Sequence, residues 1–337
     1  MSLAVELQPD QNPGRWDDHV AVYEEVFEPL TNAFAERALD LLDVRRADRL
    51  IDIGAGAGGA ALRAAARGCE VTAIDASPRM VGRIAARADA AGSAGRVHAE
   101  VMDGAALGLS DGGFDAALSV FGVILFPDAD RGMREVARML KPGGRAAIVT
   151  WTESERYELA ARLLAAIAAV RGPQPPPSSL PAQLRYRDEA ALRRLLGDAG
   201  LTVDAIVRVE ERWRVPSARW LADRIAFAPG MAAMVGALGA DRPAVLEAFV
   251  AALERDQGSG EVALTAIAHI GVAQKPAPRR PREGDRPSAR ARRGARAGTA
   301  QHSAALAPPT PIGDTRAATW SQRFTYSVEA FHAQSVL

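Results

Sequence analysis

Leu50-Ile51-Asp52-Ile53-Gly54-Ala55-Gly56-Ala57-Gly58-Gly59-Ala60-Ala61-Leu62 is the stretch on which the fold turns. A short apolar run ends in an acid, then a glycine cluster, then an alanine-rich segment. That order predicts a strand, a tight turn and a helix start. Glycine at Gly54 and Gly56 lets the backbone take positive φ and lets a ligand approach the main chain. The first amides of the following helix turn a partial positive charge towards such a ligand. The arrangement suits a nucleotide, or a nucleoside carrying an amino-acid carboxylate.

The glycines alone do not choose the cofactor. Gly54-x-Gly56-x-x-Gly59 fits the dinucleotide fingerprint. Read from Asp52 to Gly58, Asp-x-Gly-x-Gly-x-Gly equally resembles the first motif of class I S-adenosylmethionine (SAM) methyltransferases. Asp75 ends the next apolar run, residues 70–75. An acid at that place binds ribose hydroxyls in the dinucleotide fold and, by resemblance, in the methyltransferases.

Outward from this stretch, strands alternate with helices. Strands are expected at 49–53, 70–75, 96–102, 114–121 and 145–151. Helices are expected at about 58–67, 78–91 (capped by Ser77, with Pro78 first) and 129–140. Alternation of this kind implies a doubly wound parallel sheet, an α/β fold. One or two helices, broken by Pro29, are read over residues 17–42, with Trp16, His19 and Tyr23 near one face. After Trp151 come helices at 157–170 and 188–199, a long strand at 201–213, short helices within 216–256 and a closing strand at 261–273. The two late strands would pair at the sheet edge, with the helices inserted between them as a lid.

The charge is unevenly placed. The chain is neutral overall, with 41 basic and 41 acidic residues, yet residues 275–337 hold 11 of the basic and 4 of the acidic ones. Apolar periodicity ends near Ala273, so residues 275–337 are expected to be a basic, disordered tail, and residues 1–15 a flexible N-terminus. Cys69 is the lone cysteine, which excludes an intramolecular disulfide and suggests a reducing compartment. The opening residues have neither the basic nor the apolar segment of a secretory leader. No uncharged run reaches the ~20 residues needed to span a bilayer. A soluble, cytoplasmic protein is expected. The five histidines are scattered, and no metal site is expected.

Five segments in order carry a family resemblance: residues 52–58, 75–80 (Asp-Ala-Ser-Pro-Arg-Met), 102–104 (Met-Asp-Gly), 114–119 with Phe126-Pro127-Asp128, and 138–144 (Arg-Met-Leu-Lys-Pro-Gly-Gly). Residues 16–274 resemble a class I SAM-dependent methyltransferase of the ubiquinone/menaquinone-biosynthesis type (methyltransferase type 11), acting on small molecules. The resemblance implies a Rossmann-like seven-stranded sheet with an antiparallel last strand. It implies that Gly54, Gly56 and Gly58 close around the methionine part of SAM and that Asp52 helps hold its amino group. Asp75 would accept from both ribose hydroxyls, Met80 would pack on adenine and Asp103 would accept from its amino group. Gly104 would leave room for the adenine plane, and Ser119 would line the site near the sulfonium.

Methyl transfer is an in-line displacement and requires a base only when the acceptor must lose a proton. The candidate bases are His19 and Tyr23, on a helix that often covers the cofactor in this family, and Asp128 beyond the fourth strand, which could equally cap the next helix. The acceptor should lie over the carboxyl ends of the strands, near Phe121, Phe126 and Trp151, under Trp220, Phe227, Met231 and Met234. That favours an apolar or aromatic small molecule. No nucleic-acid substrate is expected. Two alternatives stand beside this one: a SAM-binding partner or sensor without catalysis, and an NAD(P)-dependent oxidoreductase. The second lacks a Tyr-x-x-x-Lys pair.

Overall fold

The computed structural model describes residues 7–152, 157–175 and 180–277. The basic tail expected over residues 275–337 lies outside them from residue 278 onward. The apolar run at the centre forms β1 (Arg49–Ile53), and it pairs in parallel with β2 (Glu70–Asp75) on one side and β4 (Phe114–Val120) on the other. With β3 (Val97–Val101), β5 (Leu140–Trp151), β6 (Thr202–Val215) and β7 (Val262–Gln274) it makes one seven-stranded sheet in the order β3-β2-β1-β4-β5-β7-β6. Strand β7 runs antiparallel to both neighbours. The strand order reverses between β1 and β4, and the crevice above that point is where open α/β sheets bind ligands.

The connecting helices are α4 (Gly59–Ala66), α5 (Pro78–Ala90), α6 (Ala129–Met139), α7 (Glu158–Arg171) and α8 (Glu189–Asp198). Three more, α9 (Ala218–Asp223), α10 (Pro229–Gly236) and α11 (Arg242–Gln257), lie between β6 and β7. Leu50, Ile51 and Ile53 on β1 are wholly buried, as expected of a central strand covered on both faces. Helix α8 approaches the sheet closely because Gly271 on β7 carries no side chain: a Cβ there would come within 2.7 Å of Leu196 Cδ1.

Two boundaries differ from the sequence expectation. The N-terminal helices, α2 (Val20–Val26) and α3 (Glu28–Leu42), break at Phe27 rather than at Pro29. Pro29 falls in the first turn of α3, where its missing N–H leaves nothing unpaired. Strand β5 begins at Leu140 rather than at Arg145, because the Lys-Pro-Gly-Gly stretch is a bulge opposite the register shift between Phe114 and Ala116.

The expectation of a flexible N-terminus is corrected from Leu7 onward. A 3-10 turn (Pro9–Gln11) and α1 (Pro13–Trp16) form a docked strap. Trp16 Nε1 donates to the Asp10 carbonyl at 2.9 Å, and Gly230 N, in the first turn of α10, donates to Asp10 Oδ1 at 2.7 Å. Gln8 bonds to Leu180 O and Ala182 N across the chain. These polar contacts to distant segments are invisible to hydrophobic periodicity. Burial raises the pKa of the Asp10 carboxyl, against the hydrogen bond from Gly230. Asp10→Ala should lower unfolding stability by about 1–2 kcal/mol, since it leaves the Gly230 amide without its acceptor. Urea denaturation of the two proteins checks this.

Candidate cofactor and active site

The turn after β1 is built by three positive-φ glycines, Gly54 (φ 70°), Gly56 (56°) and Gly58 (91°). At Gly54 a side chain is also excluded by space, since a Cβ would lie 2.9 Å from Gly122 Cα. Gly54 N and Ala55 N both donate to Ile74 O at 2.9 Å, which ties the turn to the end of β2. Asp75, the last residue of β2, then anchors two further amides. Gly56 N donates to Oδ2 and Ser77 N to Oδ1, each at 2.9 Å. Each carboxylate oxygen thus holds one of these amides, and the Ala76 backbone amide also acts on the carboxylate. Burial pushes the Asp75 carboxyl up to about 6, against these backbone hydrogen bonds.

Asp52, on β1, is 1% exposed. Its Oδ2 has no hydrogen-bond partner. Burial first, and the nearby Asp75 charge second, push it up to about 7. Asp52 lines a cavity of about 20 Å³ together with Tyr23, Thr31, Asn32, Ala35 and Gly54. That space holds about one water. The outer wall is the α2–α3 junction. The Tyr23 ring lies over Gly56, 3.6 Å from where a Cβ would sit. Thr31 Oγ1 donates to Glu28 O at 3.1 Å, so the Tyr23 hydroxyl is the donor in its 3.3 Å contact with Thr31.

On the other side of Asp75, Met80 is buried in the first turn of α5. Ser77 Oγ accepts from Met80 N and donates to Asp17 Oδ1 at 2.6 Å, so the N-terminal segment also covers this helix end. Asp103 is exposed and forms a turn, its Oδ1 accepting from Ala105 N at 2.9 Å. Gly104 is required by contact, because a Cβ would overlap the Phe126 ring. Phe126, expected beside the acceptor, instead fills a slot floored by Gly104 and Gly132.

Glycine turn, paired acids and switch point coincide with a sequence match: residues 50–144 fit the family model described as a methyltransferase domain. The chain carries a class I methyltransferase domain. The match is to the domain in general rather than to the quinone-biosynthesis subgroup. The chain is 38% identical over 136 residues to 27-O-demethylrifamycin SV methyltransferase of Amycolatopsis mediterranei, covering 40% of this chain and 48% of that protein. It is 36% identical over 140 residues to the uncharacterized protein Rv1403c of Mycobacterium tuberculosis, covering 42% and 49%. The chain therefore spans about half the length of these curated relatives. Among solved structures, the [4+2]-cyclase SpnF superposes with a TM-score of 0.54 at 20% identity, over 81% of this chain and 99% of that one, which shows the shared fold.

Three expected site residues take other roles. Ser119 is wholly buried and does not line the crevice. Its hydroxyl donates to Ile53 O at 2.7 Å and accepts from Val123 N at 3.0 Å, clipping β4 and the next turn onto β1. Tyr23 is a wall of the cavity and a poor base, because burial and the charge of Glu28 raise its phenol pKa. His19 precedes α2, with Nδ1 2.7 Å from Arg15 O, so that nitrogen is the donor; its charged neighbour is Asp10 rather than an acid of the loop.

Other residues escaped the sequence reading. Glu28, Thr31, Asn32 and Ala35 lie at i, i+3, i+4 and i+7 on α3, a part-polar stripe at core spacing, and all four are buried. Glu28 accepts from Gly59 N at 3.1 Å and from Arg87 Nη1 at 2.8 and 2.9 Å, while Arg87 also reaches Ala57 O. This pair pins α3 to the glycine turn. Ser119→Ala should cost about 1–3 kcal/mol of stability, as it strands a buried carbonyl and a buried amide. A lower melting temperature with unchanged cofactor affinity is the expected result.

Proposed function

We propose that the chain transfers a methyl group from SAM to a small, mainly apolar acceptor. The observation that carries this is the unpartnered, buried Asp52 Oδ2 beside the glycine turn, with Asp75 one strand away. A buried carboxylate oxygen without a partner asks for a cation, and the ammonium of SAM is one. A dinucleotide would instead bring its anionic pyrophosphate to that acid. The residues present therefore fit SAM: Asp52 for the ammonium, Asp75 for the ribose hydroxyls, Asp103 and Gly104 for the adenine edge, Met80 and Phe126 for its faces.

When bound, SAM supplies an electrophilic methyl group on a sulfonium that leaves readily. The protein then has to align the acceptor and keep water out, a contribution of roughly 7–11 kcal/mol in well-oriented reactions. An aromatic cluster beside the crevice suits that task. Phe121 stacks on Trp151 (3.8 Å, 9°) and Trp151 on Tyr157 (5.0 Å), while Phe27 stacks on Phe227 (4.7 Å). Phe121 takes a positive φ of 58°, an uncommon conformation for an aromatic residue. These rings would hold a flat or apolar acceptor, and the relative named for a 27-O-demethylated molecule supports an oxygen as the atom methylated. Because a cyclase shares the fold, methyl transfer itself is tested by the mass of the product, one methyl group heavier than the acceptor, with S-adenosylhomocysteine formed in equal amount.

Titration calorimetry tests the cofactor. Wild type should bind S-adenosylhomocysteine and not NAD. Asp75→Ala should weaken that binding about 10²-fold or more, given two hydrogen bonds to a charged group. Micromolar NAD binding without S-adenosylhomocysteine binding would overturn the proposal.

Asp52 must be ionised to receive an ammonium, and its folded pKa is about 7. S-adenosylhomocysteine affinity should therefore rise from pH 6 to pH 8, with proton release on binding. Calorimetry in two buffers of different ionisation enthalpy measures that release.

A further inference from the structure

Asn32 sits on α3 with its side chain in the wall of the Asp52 cavity. It is 9% exposed, and no described residue hydrogen-bonds its carboxamide. Unlike Asp52 Oδ2, its polar atoms are not sealed from water, so they are open to a ligand in the cavity. It is nonetheless held firmly, for its carboxamide lies where a Cβ on Gly59 would be. The buried Glu28–Arg87 pair fixes the same turn of α3 to Gly59 N and Ala57 O. The cavity thus joins two unused polar groups, an acid oxygen on β1 and a carboxamide on α3.

We propose that Asn32 is a cofactor-binding residue whose side-chain N–H₂ donates to the carboxylate of the amino-acid end of SAM, while Asp52 Oδ2 accepts from its ammonium. The inference rests on the proposed use of SAM. The chemistry is complementary: an ionised acid only accepts, an amide N–H₂ only donates, and an α-amino acid presents one group of each kind. Thr31, whose hydroxyl already donates to Glu28 O, has no proton left for the carboxylate, so the amide is the donor available. The cavity of about 20 Å³ is too small for this end of the cofactor as it stands. The Tyr23 ring must withdraw from Gly56 to admit it, and the break at Phe27 between α2 and α3 is the point where the cover can bend.

The experiment compares S-adenosylhomocysteine with 5′-methylthioadenosine, which keeps the nucleoside and lacks the amino acid. Both are titrated into wild type, Asn32→Leu and Asn32→Asp, with melting temperatures measured alongside. Wild type should prefer S-adenosylhomocysteine. Asn32→Leu should weaken it about tenfold or more and leave 5′-methylthioadenosine within about twofold. Asn32→Asp, nearly the same shape but repelling a carboxylate, should weaken it further and keeps the test open if the leucine variant does not fold. Unchanged S-adenosylhomocysteine affinity, or equal loss of both ligands, would overturn the assignment of Asn32. Wild type binding neither ligand would instead refute the SAM reading, and the Asn32 proposal with it.

Discussion

Two carboxyl groups near the ends of adjacent parallel strands, Asp52 buried and Asp75 half-buried, constrain everything around them. Asp52 faces Ala73 across the β1–β2 register, two residues before Asp75. Both are pushed up, to about 7 and about 6, by burial. Since both folded pKa values lie above the ordinary value of 3.8, the native state binds protons more tightly than the unfolded chain. These two groups therefore favour the fold at low pH, and that contribution fades as pH rises through about 4 to 7. The turn answers with what it has: Gly56 and Ser77 amides on Asp75, and nothing on Asp52 Oδ2. A fold that holds an acid this way is prepared for a cationic ligand.

The cover over these acids is also polar in its fixing. Glu28 is nearly sealed from solvent, and its charge is met by Arg87 and by the Gly59 amide. A buried pair of this kind adds little net stability, but removing one partner is costly. Its effect is positional: it sets the face of α3 that carries Thr31 and Asn32 against the turn. The strap before α2 continues the same cover, with Trp16 edge-on to Tyr23 at 5.8 Å and Asp10 on the first turn of α10. The wall of the Asp52 cavity and the helices inserted between β6 and β7 are therefore joined through one short segment.

Much of this was legible in the residues. Apolar runs ending in Asp52 and Asp75, with Gly54, Gly56 and Gly58 between, place the turn and its acids within a residue of where they lie. The antiparallel β7 followed from the late strand pair and the family resemblance. Ser119 was misjudged because a strand-end serine reads the same whether its hydroxyl faces a ligand or clips a strand carbonyl to a turn amide. The strap and the Glu28–Arg87 pair were missed because contacts 31 to 220 residues apart in sequence leave no local pattern. The stripe at 28, 31, 32 and 35 was readable, since polar residues at core spacing are a mark of buried chemistry, but the apolar residues beside it (Leu30, Phe34, Ala38) drew the periodicity instead.

The central claim is that Asp52 and Asp75 hold a nucleoside carrying an amino acid. A crystal structure with S-adenosylhomocysteine tests it most directly. The account predicts both ribose hydroxyls on the Asp75 carboxylate and the ammonium within hydrogen-bond distance of Asp52 Oδ2, beneath a displaced Tyr23. A ligand bound elsewhere on the protein, or one whose ammonium turns away from Asp52, would contradict it.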